Sequence, residues 1–136
     1  MHVALVYFCS AHDGKAAAIL KKLEAASVAR GNQVDLINGN EDIGSRRLTM
    51  FDYIAVVVAA KAPLGSKIPS RVGQFLAASG NITGKKGCAL VIKAGLRSDK
   101  TCSNLMRTME AEGVKLDYFE VVRSVEHASY AGGKIG

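Results

Sequence analysis

Three short segments carry the residues that could do chemistry. The first, Cys9-Ser-Ala-His-Asp-Gly-Lys-Ala16, follows an apolar run and opens a helical pattern. Backbone N–H groups at such a junction suit an anion, with Lys15 adding charge and Asp13 opposing it. Cys9, placed there, is a candidate nucleophile, because a thiolate at a helix N-terminus has a lowered pKa. The plainer reading of Cys9 is a small buried residue at a strand end. The second segment, Ala60-Lys-Ala-Pro-Leu-Gly65, follows another apolar run. The third, Ala94-Gly-Leu-Arg97, offers Gly95 for a tight strand-to-helix turn and Arg97 for an anion. His2, His12 and His127 are scattered, and Cys9, Cys88 and Cys102 lack metal spacing, so no metal site is expected. His12 lies in the first segment and reads otherwise as a solvent-facing loop residue.

These segments need a scaffold, and the apolar pattern supplies one. His2–Phe8, Tyr53–Ala59 and Cys88–Ile92 are continuous apolar runs, as strands buried on both faces should be. Gln33–Ile37 alternates polar and apolar residues, as an edge strand does, and Lys115–Val122 is the last strand. Between them lie three helical patterns. Ala16, Ile19, Leu20, Leu23 and Ala26 or Ser27 form the inner face of the first, which Gly31-Asn32 stops. Pro69 fits the first turn of the second, with Ile68, Val72, Phe75, Leu76 and Ser79 inward and Gly80-Asn81 at its end. Ser98 or Asp99 caps the third, which carries Cys102, Leu105, Met106 and Met109 inward and closes at Gly113. Alternating strands and helices predict a three-layer α/β fold with a five-stranded parallel sheet.

Residues 1–122 are expected to form one domain, followed by an irregular tail over residues 123–136. Gly132-Gly133 and the lack of an apolar stripe argue against a multi-turn amphipathic helix there, so a final helix is reduced or missing. One face of the sheet would then be incompletely covered, and a second copy of the chain, a partner or further C-terminal residues are expected on it, with self-association favoured.

A chain of 136 residues, 49% apolar and 22% charged, is large enough for one core. No apolar run reaches the ~18–20 residues of a membrane span, and no signal peptide is visible at the start. The cysteines read as reduced thiols in a cytoplasmic protein. The net charge of +6 is spread over Lys21-Lys22, Arg46-Arg47 and Lys85-Lys86 without interleaved aromatics, which points away from nucleic acid. Lys15, Lys61, Lys67 and Arg97 fall in or beside the three loops, a positive rim suited to an anionic ligand or an acidic protein partner.

The stretch Phe51-Asp-Tyr-Ile, an apolar run, a small-residue loop, then Lys-Ile-Pro-x-x-Val-x-x-Phe-Leu76 closely resembles the third strand, flavin loop and third helix of flavodoxins. The resemblance covers residues 2 to about 122. It implies doubly wound strand order 2-1-3-4-5, with the ligand at the carboxyl ends of the strands beside the switch point. It implies FMN as cofactor and electron transfer or flavin-dependent oxidoreduction as function, with a redox protein as partner. FMN binding would fall to Ser10, Ala11, His12, Asp13, Gly14, Lys15 and Ala16 at the phosphate, to Ala60, Lys61, Ala62, Pro63, Leu64 and Gly65 at the ring, and to Gly95 and Arg97 of the third loop. Gly14 stands where the family glycine stands, but Ala16 replaces the family's Ser or Thr. No aromatic lies between Tyr53 and Phe75, where flavodoxins place the tyrosines that stack on the flavin. Binding should therefore be weak.

Two other readings stay open. A flavodoxin-fold chain that has lost the cofactor would act as a binding or interaction domain. Alternatively, Cys9-Ser-Ala resembles the phosphocysteine loop of sugar phosphotransferase IIB proteins, in which Cys9 would accept phosphate. The Cys-x5-Arg loop of low-molecular-weight tyrosine phosphatases is also similar, but Lys15 stands in place of its bidentate Arg. A receiver domain is excluded, because Ala59-Ala60 fills the position of the phosphorylated aspartate.

Overall fold

A computed structural model describes residues 1–10, 13–41, 47–60 and 67–136. The elements run β1 (His2–Tyr7), α1 (Gly14–Ala29), β2 (Gln33–Asn38), β3 (Tyr53–Ala59), α2 (Ser70–Ala77), β4 (Lys86–Ile92), α3 (Ser98–Ala111), β5 (Lys115–Val122) and α4 (Val125–Gly132). All neighbouring strands are parallel, in the order β2-β1-β3-β4-β5. The three continuous apolar runs are the three inner strands, and the alternating Gln33–Asn38 and the last strand, Lys115–Val122, are the edges. Strands covered on both faces can be apolar throughout, whereas an edge keeps a wet side.

Alternation along each inner strand feeds two cores. Ala4, Val6, Ile54, Val56, Val58, Ala89 and Val91 face α2 and α3, meeting Val72, Phe75, Leu76, Leu105 and Met109. Val3, Leu5, Ala55, Val57 and Leu90 face α1, meeting Ile19 and Leu23. The helical faces read from spacing are those that are buried, with Ser27 rather than Ala26 completing α1 and with Ile68 and Met106 only partly buried. Gly87 has a steric reason: a Cβ there would lie 2.3 Å from the Ile54 carbonyl oxygen on β3. The next step carries an irregularity, because Gly87 pairs with Leu116 but Cys88 with Tyr118. Asp117, the extra residue, accepts a hydrogen bond from the buried Tyr53 hydroxyl.

The C-terminal segment corrects the expectation of an irregular tail. Ser124 caps α4, its hydroxyl accepting from the His127 N–H at 3.1 Å, and Ala128 and Ala131 are fully buried on the α1 face of the sheet. Small residues let α4 approach α1 closely, so no apolar stripe is needed; a Cβ on Gly132 would lie 2.7 Å from Ala26 Cβ and from the Leu23 carbonyl oxygen. Beyond it, the Ile135 carbonyl accepts from Ser27 Oγ at 3.2 Å and from Asn32 Nδ2 at 2.9 Å. The final helix is reduced, not missing, and the Val57–Leu90 face is covered within one chain. That face does not need a second copy of the chain to cover it.

Candidate functional site at the carboxyl edge

The three loops leave the sheet side by side because the ladder runs past the strand ends. Phe8 N–H donates to the Val57 carbonyl at 2.9 Å, Ala60 N–H to Ile92 at 3.0 Å, and Lys93 N–H to Val122 at 2.9 Å. Ser10, Asp13, Gly14, Lys15, Ala16, Ala60, Gly95 and Arg97 thus belong to one edge, as expected. Ala11, His12, Lys61, Ala62, Pro63, Leu64 and Gly65 lie outside the described residues, which removes most of the expected ring loop from view.

At the first loop, Asp13 is the N-cap of α1. Its carboxylate Oδ1 accepts from the Lys15 N–H at 3.0 Å and the Ala16 N–H at 3.3 Å. Two donors that an anion would use are therefore satisfied by the chain's own anion. Gly14 has open space around its Cα, and Lys15 is exposed. Ala16 is fully buried in the α1 core, so that position serves packing as well as lacking a hydroxyl. These residues fit a phosphate dianion poorly: two of the described donors are occupied, and a negative charge stands beside them.

Cys9 is 4% exposed. Burial pushes its thiol up, the Asp13 charge adds to this, and a backbone hydrogen bond only opposes them. A nucleophile needs the opposite, so burial and the direction of this shift speak against the phosphocysteine role for Cys9.

The third loop is a tight turn, as its length suggests. Gly95 takes φ +70°, and the Ser98 hydroxyl bonds back to Ala94, accepting from its N–H at 3.1 Å and donating to its carbonyl at 3.2 Å. Ser98 therefore ties the loop rather than capping α3, whose N-cap is Arg97. This closure leaves Leu96, between Gly95 and Arg97, 89% exposed. The sequence reading passed over Leu96, although a lone leucine in a polar turn was the available signal. Covering it would contribute up to about 1.5–3 kcal/mol. Ala60, 7% exposed, is the one residue of the ring segment that is described.

Two cavities lie at the third loop and along β5. One of about 120 Å³ sits beneath Leu96 beside Arg123, and one of about 330 Å³ runs between α3 and β5 under the half-exposed Phe119. The smaller is too small for a flavin, and the larger lies away from the β1 and β3 loops. Among the described residues no group of His, Cys, Asp or Glu could hold a metal, and no helix is long and apolar enough to cross a membrane.

Neither a sequence-family model nor a curated protein sequence matches this chain. Solved structures do. Oxidised flavodoxin 1 from Bacillus cereus superposes with a TM-score of 0.71 at 14% identity, covering 98% of this chain and 96% of that one. A flavodoxin from the domain Archaea gives 0.70 at 15% identity over 99% and 96%. Two-electron reduced flavodoxin from Megasphaera elsdenii gives 0.65 at 19% over 97% and 98%. Strand order, helix placement and these full-length superpositions agree: the chain has the flavodoxin-like fold.

Proposed function

We propose that the chain is a flavodoxin-like protein that takes FMN weakly at the carboxyl edge of β1, β3 and β4, serving electron transfer or flavin-dependent oxidoreduction. The observation that carries this reading is the likeness along the whole chain to flavodoxins, including one described as oxidised and one as two-electron reduced. FMN, when bound, supplies the redox chemistry, and the protein supplies binding and orientation. Leu96, 89% exposed, offers apolar contact to the ring, and Gly14 lets a ligand approach the backbone of α1. Lys15, Lys67 and Arg97 are exposed around this edge and suit an acidic redox partner, with association weakened by salt.

Asp13 favours the second reading, a flavodoxin-fold interaction domain without cofactor. Titrating the purified protein into FMN separates the two. The flavin reading expects saturable quenching of flavin fluorescence with a Kd of roughly micromolar or weaker. No saturable binding of any flavin at ~1 mM protein would leave the interaction domain.

A further inference from the structure

The polar arrangement at the start of α1 carries a specificity that the flavin reading alone does not. A helix N-terminus leaves backbone N–H groups without intrahelical partners, and an incoming anion must find them open. Here the Lys15 and Ala16 N–H groups both point at Asp13 Oδ1, at 3.0 and 3.3 Å. The Asp13 N–H in turn donates to the Ser10 carbonyl at 3.2 Å, which fixes the aspartate's backbone beside these donors. A phosphate arriving at the same place would have to displace a carboxylate and then remain beside it. Desolvating two like charges side by side is unfavourable on both counts. Lys15 is exposed and its charge is hydrated, so it offsets little of this. On the ring side, among the described residues, Leu96 stands open and carries no charge.

We infer that Asp13 closes the anion cradle of α1, so that this edge takes a flavin in its unphosphorylated, riboflavin-type form in preference to FMN. The inference rests on the flavin reading proposed above, and its test separates the two. Asp13→Asn keeps a good N-cap without the charge, and Asp13→Gly opens the donors at small cost to the helix. Riboflavin and FMN are titrated into the wild type and both variants. The wild type should bind riboflavin at least as tightly as FMN. In the variants FMN affinity should rise about tenfold or more, the scale of one charge-assisted hydrogen bond, while riboflavin affinity stays level. Wild-type preference for FMN, or an unchanged FMN-to-riboflavin ratio in both variants, overturns the inference.

A measurement without flavin judges Asp13 directly. With inorganic phosphate added, the Lys15 and Ala16 amide resonances should stay put in the wild type and shift saturably in Asp13→Gly. Saturable shifts in the wild type, or none in the folded variant, overturn the closure. Expected amide shifts together with no riboflavin binding would instead overturn the flavin reading and the ligand choice built on it, leaving Asp13 as a cap only.

Discussion

At the scale of single residues, the same chemistry reads differently once burial is known. Cys9 in sequence is a thiol at a helix opening; in the fold it is a covered thiol beside a carboxylate. Alkylation of Cys9 near neutral pH should therefore be slow and should accelerate only when the protein unfolds. Fast labelling of the native protein, lost in Cys9→Ser, would contradict this. The other thiols predict an alkaline limit. Burial pushes Cys88 up to about 12 and Cys102 up to about 11, from an ordinary 9.0. Because the folded state holds these protons more tightly, their contribution is complete below pH 9.0 and is lost as pH rises towards 11 and 12. Tm should fall over that window, and less steeply in Cys88→Ala/Cys102→Ala. Burial also raises Tyr53 and Tyr118, so part of the fall should persist in the double variant. Asp13→Ala removes the α1 cap and should cost about 1 kcal/mol in denaturant unfolding, with Asp13→Asn near wild type.

At the scale of elements, α4 rests on a close approach rather than on bulk. Its Ala128, Ala131 and Gly132 face α1, where Leu23 and Ala26 leave no room for a further carbon at position 132. Gly132→Ala should destabilise the fold by roughly 1–3 kcal/mol, since backbone as well as a methyl must give way. Gly14→Ala makes the contrast, with nothing within 4 Å of its added carbon. It should be tolerated, stabilising by at most about 1 kcal/mol through the unfolded chain. Equal destabilisation by the two would mean that α4 does not sit against α1 as described. The same closeness explains why α4 was not legible beforehand. Its face is made of alanine and glycine, which carry no amphipathic signal, and Gly132-Gly133 looks like a break when its helical partner is unknown.

At the scale of the whole molecule, α1 and α4 together cover one face of a sheet that would otherwise present Leu5, Val57 and Leu90 to water. Deleting residues 124–136 should bare that face and turn a well-behaved chain into one that self-associates or aggregates. Sedimentation of the full and shortened chains at matched concentration checks this; a shortened chain that stays monomeric with unchanged Tm would show that α4 adds little cover.

The strands at Tyr53–Ala59 and Lys115–Val122 and the inward faces of α1, α2 and α3 were determined by the sequence itself. Burial on one or two faces imposes a period, and a period survives in a linear string. The order of the strands followed from a resemblance, and pairing of β1 with β3 confirms it. Tertiary structure decided what has no period. Whether Asp13 repels a ligand or caps a helix depends on where two N–H groups point. Whether Cys9 is a nucleophile depends on what covers it, and Leu96 matters only because its turn, tied by Ser98, leaves the side chain exposed at the edge. Such properties arise from contacts across the fold, or from a turn's closure in space, and residue spacing does not encode them.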